Sequence, residues 1–240
     1  AELIALARRL NLPLIDAPDS NFSHVLTFRE SRLELHSLSA KRSPLVVDFL
    51  SGSPYYRYIH DRRIGQPLAK AVGIKRGYRP SVLDGTAGFG GDGFALAFLG
   101  CSVTMIERSP VIWALLADAV ARTTDNQVIG AIFDRHVTLK LADTIDYLSS
   151  CLDIYDTVFL DPMYPSTPKS TLNKQKMRML RELVGDDHDG SQLLSAALQG
   201  ARKRVAVKRP IRATTLDDRK PSFTVSGKSS RYDIYLIPYL

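Results

Sequence analysis

Residues 82–94, "VLDGTAGFGGDGF", decide the fold. The stretch opens as a buried strand and then places Gly88, Gly90 and Gly93 at G-x-G-x-x-G spacing. That spacing marks a tight turn from a strand into a nucleotide-binding helix. An acid, Asp84, stands just before the glycines. A pyrophosphate is favoured at a helix N-terminus by the N–H groups and the helix dipole, and a carboxylate at that spot opposes it. The glycine pattern alone therefore leaves open which ligand the loop receives.

Outward from this loop, "SVLDG" (81–85) reads as a strand and Gly91 to Leu99 as the helix after it. "CSVTMIER" (101–108) is a second strand. "SPVIWALLADAVART" (109–123) opens with Ser109 as N-cap and Pro110 at the first helical position, then shows helical apolar periodicity. "VTLKLAD" (137–143) is a third strand, followed by a short helix through Tyr147 and Leu148. "YDTVFLDP" (155–162) is a fourth, and "DGSQLLSAALQGARK" (189–203) is a helix leading into a fifth, "RVAVKRP" (204–210). "PSFTVSG" and "SRYDIYLIPY" alternate apolar and polar residues and read as a terminal hairpin. Strands alternating with helices specify an α/β fold: a mostly parallel, Rossmann-like sheet of seven strands, helices on both faces, and an antiparallel C-terminal hairpin.

The N-terminal part has another texture. "HVLTFRESRLELHSL" (24–38) alternates around "RES" and reads as a hairpin, and "SPLVVDFL" (43–50) as a further short strand. The expected organisation is a small β-rich region over 1–64 and a main domain over 65–240. The segment 165–190, poor in apolar residues and rich in charge, reads as a loop containing one helix.

Composition sets the outer bounds. The chain has 240 residues, 45% of them hydrophobic and 24% charged, as in soluble globular proteins. No apolar run approaches the ~20 residues that span a bilayer, and no secretory leader is visible, so a cytoplasmic protein is expected, with no membrane partner. Cys101 and Cys151 read as buried thiols of a reducing compartment. The five histidines are scattered singly, so no metal is expected. The net charge of +7 hides a division: residues 1–80 carry 13 Lys and Arg against 7 Asp and Glu, residues 81–165 carry 4 against 11, and residues 166–240 carry 15 against 7. Basic flanks around an acidic centre fit a polyanionic partner, although a solvated basic surface shows the same pattern.

Asp84, Glu107, Asp143 and Asp161 fall at the C-terminal tips of the first four strands of the main domain. In an open α/β sheet, ligands bind outside those ends. Four acids there suit a ligand without phosphate that carries hydroxyls, amines and positive charge. S-adenosylmethionine (SAM), with its sulfonium, ammonium and ribose diol, is such a ligand. Glu107, 19 residues after Gly88, suits a ribose diol in NAD and SAM enzymes alike; Asp84 and the fourth strand favour SAM.

The fourth strand ends in "LDPMYP" (160–165). An exocyclic amine on a base is a poor nucleophile because its lone pair is delocalised into the ring. A carboxylate and a backbone carbonyl that accept the two amine protons orient that lone pair. Asp161 and the Pro162 carbonyl are the candidates, with Pro162 stiffening the turn and Tyr164 offering a stacking face. Asp-Pro turns also occur without chemistry; here the turn follows the right strand beside a glycine loop.

"VLDGTAGFGGDGFALAFLGCSVTMIERSPVIWALLADA", "VFLDPMYP" and "VAVKRP" together resemble the small-subunit (16S) ribosomal RNA guanine-N(2)-methyltransferases of the RsmJ family. The similarity runs through nearly all of 65–240, and "PLVVDFLSG" and "LAKAVGIK" extend it upstream. The resemblance implies a class I methyltransferase fold, SAM as methyl donor, and a guanine 2-amino group of 16S ribosomal RNA, free or in the small ribosomal subunit, as acceptor. Carried over by motif, the cofactor contacts fall on Gly91, Asp92, Glu107, Arg108, Asp143, Thr144 and Asp161, beside Asp84 and Gly88 of the loop. Two departures stand out: "RRIGQPLAKAVGIK" replaces a glycine-rich basic stretch, and Gly91 stands where an arginine is common. Intact Asp84, Glu107 and Asp161 argue against a non-catalytic RNA-binding relative, while amino-methylation of another RNA or of DNA stays open. Trp113 reads as core or adenine-pocket wall, and His60 as an exposed histidine beside arginines. Lys169, Lys174, Lys176 and Arg178 read either as phosphate contacts or as a solvated helix face.

Overall fold

The computed structural model describes residues 2–19, 21–38, 43–51, 64–150, 155–163, 173–185 and 189–238. Its centre is a seven-stranded sheet of β3 (Ser81–Asp84), β4 (Ser102–Glu107), β5 (Val137–Leu141), β6 (Tyr155–Leu160), β7 (Ala201–Pro210), β8 (Phe223–Ser226) and β9 (Ser230–Leu236), in the order β5-β4-β3-β6-β7-β9-β8. Neighbours from β5 to β7 are parallel; β9 runs antiparallel to both β7 and β8. The expected sheet and terminal hairpin are thus both present. The chain steps outward from β3 to β4 and β5, then returns to lay β6 against the other side of β3. That reversal opens a crevice at the strand ends and sets Asp84 level with Phe159, two residues from Asp161.

The connecting helices follow local signals. α3 (Gly91–Phe98) starts from Gly90, whose φ of 73° is left-handed, and Gly93 in its first turn packs close against the sheet. α4 (Pro110–Ala121) has Pro110 in its first turn, and the Ser109 hydroxyl accepts the Ile112 N–H at 3.4 Å. α2 (Pro67–Val72) ends on Gly73 at φ 88°, and α6 (Thr144–Ser150) and α8 (Gly190–Gly200) precede β6 and β7. α7 (Asn173–Val184) is the helix expected within 165–190.

α5 (Ile129–His136) was not legible as a helix. Two residues before its N-cap Val128, the Asn126 Oδ1 accepts the Val128 and Ile129 N–H groups, and Ile129 and Phe133 put one face into the core. The N-terminal region has the expected hairpin, β1 (His24–Arg29) against β2 (Arg32–Ser37), turning on Glu30 and Ser31 at φ 46° and 60°. It also has a helix, α1 (Glu2–Leu10). The strand expected over 43–50 is reduced to one bridge, Leu45 with Leu35. Instead the segment crosses the main domain: the Val47 carbonyl accepts from Arg122 at the end of α4, and Phe49 lies 4.9 Å from Phe94 and 5.0 Å from Phe133 between ring centroids. Leu10, Leu33, Leu35, Leu45, Val47 and Phe49 share one buried cluster with Phe94 and Trp113. Cys101 is a buried free thiol whose pKa burial pushes up to about 12, while Cys151 and His60 lie outside the described residues.

Candidate active site

The glycine loop is stitched to the strands on both sides. Gly85 N–H donates to the Phe159 carbonyl at 3.0 Å, and Ala87 N–H to the Ile106 carbonyl at 3.0 Å. The Thr86 hydroxyl accepts the Asp161 N–H at 2.6 Å, tying the loop to the tip of β6. Gly88 and Gly90, at φ 52° and 73°, supply the left-handed turns the loop needs. Gly93 supplies the close approach: a Cβ there would lie 2.5 Å from Met105 Cε and 3.0 Å from Asp84 Oδ2.

On one side of the loop Glu107 is buried and organises two backbone segments. Its Oε2 accepts Gly88 N–H at 2.9 Å and its Oε1 accepts Ser109 N–H at 2.7 Å. The neighbouring Arg108 donates to Asp189 at 2.7 Å and stands 3.8 Å from Asp143. Asp143 Oδ1 accepts the Ile145 N–H at 2.8 Å at the start of α6. The buried Thr144 hydroxyl donates to the Gly85 carbonyl at 2.6 Å, so this side chain braces the loop. Trp113 is core, with the Arg9 guanidinium of α1 4.3 Å from its ring centroid.

On the other side three carboxylates converge around one ammonium. Lys208 of β7 reaches Asp92 Oδ2 at 2.5 Å and Asp161 Oδ2 at 2.9 Å. Burial alone lowers a lysine pKa, but the Asp92 and Asp161 charges overcome it and hold Lys208 protonated well above its ordinary value. Asp84 is 1% exposed, and among the described residues its carboxylate is bonded by the Thr86 N–H at 3.3 Å and by no cation. Burial first, then the Asp92 charge, push its pKa up to about 8. Asp161 sits deep in the crevice although its side chain stays 40% exposed; desolvation raises its pKa and Lys208 opposes the rise. Tyr232 of β9, directly across from Lys208, is raised to about 12 by burial and by Asp92.

Asp84, Asp92 and Asp161 therefore come together as one cluster, and Gly88 and Glu107 as another, with Gly91 opening the helix between them. Pro162 is buried beside Asp161; Tyr164 lies outside the described residues. Lys208 and Tyr232 were missed. "VAVKRP" displays the lysine, but only the register of β7 against its neighbours shows what it faces. Among the described residues no group of three His, Cys, Asp or Glu is arranged to hold a metal, and no helix is long and apolar enough to cross a membrane.

A seven-stranded Rossmann-like sheet with a glycine loop and acids at the strand tips defines the class I methyltransferases, whose cofactor is SAM. A family model described as "putative SAM-dependent methyltransferase" matches residues 5–237. The ribosomal RNA small subunit methyltransferase J of Desulfotalea psychrophila is 44% identical over 239 residues, which is 98% of this chain and 91% of that protein. Its namesake from Pseudomonas syringae pv. tomato is 46% identical over 231 residues, 95% of this chain and 84% of that one. The crystal structure of a SAM-dependent methyltransferase from Neisseria gonorrhoeae matches with a TM-score of 0.78 at 31% identity, covering 98% of this chain and 91% of that one. The chain belongs to this family of SAM-dependent methyltransferases, the RsmJ family.

Proposed function

We propose that this enzyme transfers the SAM methyl group to the exocyclic 2-amino group of a guanine in 16S ribosomal RNA, free or within the small ribosomal subunit, and acts in the cytoplasm. The observation that carries the reading is the placement of Asp161 at the tip of β6, ionically held by Lys208 and followed by the buried Pro162. Relatives named ribosomal RNA small subunit methyltransferase J support the substrate class.

The donor set fits SAM. At the crevice the carboxylates Asp84, Asp92, Glu107, Asp143 and Asp161 outnumber the cations Lys208 and Arg108, which suits a ligand with ammonium and sulfonium charges and no phosphate. Asp84, Gly88, Gly91, Asp92, Glu107, Arg108, Asp143, Thr144 and Asp161 would hold it. Bound there, SAM supplies an electrophilic methyl group. The chain's own residues do the rest: Asp161 and the Pro162 carbonyl accept the amine protons and aim the nitrogen lone pair, and Tyr164 stacks on the base. Positioning and fixed charge, with no covalent enzyme intermediate, account for the rate.

We further propose that residues 1–64 form a region that helps hold the RNA for the methyltransferase domain over 65–240. Labelled SAM incubated with small subunits, free 16S RNA and DNA tests the whole reading. Label in RNA as N2-methylguanine supports it; label in DNA alone, or on adenine, overturns it.

A further inference from the structure

We propose that Lys208 is a positioning residue of the methyl transfer: clamped between Asp92 and Asp161, its ammonium keeps the Asp161 carboxylate ionised and turned so that one oxygen stays available to the acceptor amine. The proposal rests on the reading of Asp161 as the amine-orienting carboxylate. Lys208 occupies Oδ2 of Asp161, and Oδ1 has no partner among the described residues. Asp92 fixes the ammonium from the first turn of α3, at 2.5 Å. A lysine held from two sides behaves as a fixed charge rather than a mobile tether.

The chemistry needs such a charge. As the C–N bond forms and the donor's S–C bond breaks, the donor leaves as a neutral thioether and the nitrogen must lose one proton. Asp161 can receive that proton only if ionised, and its partly exposed side chain then returns it to water. Burial and the Asp92 charge from α3 work against ionisation of Asp161, and Asp84 from β3 is a further acid of the cluster. Tyr232 from β9 is kept neutral, and Arg209 of β7, which donates to the Thr214 carbonyl at 3.0–3.1 Å, favours the carboxylate through its charge alone. Among the described residues, Lys208 is the cation in contact with the carboxylate.

Lys208→Met keeps length and removes charge, Lys208→Arg keeps charge, and Asp92→Asn removes the competing acid. The measurements are kcat at saturating SAM and RNA from pH 5.5 to 9, KM for RNA, and the carboxyl 13C titration of Asp161, assigned with Asp161→Asn. In Lys208→Met the acidic limb and the carboxyl midpoint move up by about one pH unit or more. At a fixed pH on the acidic limb kcat falls about tenfold per unit of that shift, while KM for RNA stays within about threefold. Lys208→Arg restores the profile. Asp92→Asn moves limb and midpoint the opposite way, so the proposal stays testable if Lys208→Met does not fold. An unchanged Asp161 midpoint in both charge-altering variants overturns the role of Lys208, whether or not RNA is methylated. A wild-type enzyme that methylates no RNA, yet shows these midpoint shifts, overturns the functional reading alone.

Discussion

Replacing Asp84 with asparagine tests the electrostatic logic of the crevice most directly. Asp84 is 1% exposed, sits beside Asp92 and Asp161, and its carboxyl pKa is raised from 3.8 to about 8, first by burial and then by Asp92. In the unfolded chain the same acid ionises near its ordinary value. A folded-state pKa above the unfolded one contributes stability that is fully present below the unfolded pKa and is lost as pH rises through the folded pKa. The ligand-free protein therefore loses stability between about pH 4 and about pH 8 through this one group. About four units at ~1.36 kcal/mol each set an upper bound of about 5–6 kcal/mol above pH 8, and relaxation of the site reduces this to about 2–4 kcal/mol. Asparagine keeps the shape and removes the titration. In urea denaturation without ligand, Asp84→Asn should exceed the wild type in stability at pH 8 by that amount, and the two should converge near pH 4. In calorimetry the same variant should bind SAM about tenfold more weakly or worse, because a hydrogen bond to a charged group is worth ~1.5–3 kcal/mol. A variant less stable than wild type at pH 8, or one that keeps the wild-type pH dependence, would refute this account of the buried carboxyl.

Three further outcomes follow from the same geometry. Glu107→Ala strips the acceptor from the Gly88 and Ser109 N–H groups and should weaken SAM by ~1.5–3 kcal/mol in calorimetry; tight NAD binding by the wild type would reverse the reading of the loop. Gly93→Ala drives a methyl group to 2.5 Å from Met105 Cε and 3.0 Å from Asp84 Oδ2, and overpacking of this kind costs about 1–3 kcal/mol in thermal or chemical denaturation. Reversing Lys174, Lys176 and Arg178 on the first half of α7 should flatten the dependence of RNA affinity on salt while leaving SAM affinity unchanged; an unaltered slope would mean that these charges only face solvent.

Most of the sheet was legible because parallel strands buried on both faces read as short apolar runs, and because Ser109-Pro110 and the glycines announce their turns locally. The strand-tip acids were legible for the same reason: the end of a strand is also the end of its apolar run. Lys208 was not, since its partner Asp92 lies 116 residues away and only tertiary register joins them. The stretch 43–50 misled because an apolar run specifies burial, not pairing; Phe49 is buried against aromatic rings rather than in a ladder. α5 was missed because its N-cap, Val128, carries no capping side chain and its first turn holds Gly130, in a spot where a Cβ would lie 2.7 Å from the Thr123 carbonyl.

The placement of Phe49 has a consequence for how this enzyme tolerates change. A Cβ on Gly90 would lie 3.1 Å from Phe49 Cζ, so the Phe49 ring rests against the glycine from which α3 starts. A change in packing at Phe49 therefore bears directly on that glycine, although the two lie 41 residues apart in the chain. A substitution of the ring at position 49 is therefore expected to disturb the turn at Gly90 together with the aromatic packing on Phe94 and Phe133, far from the substituted residue in sequence.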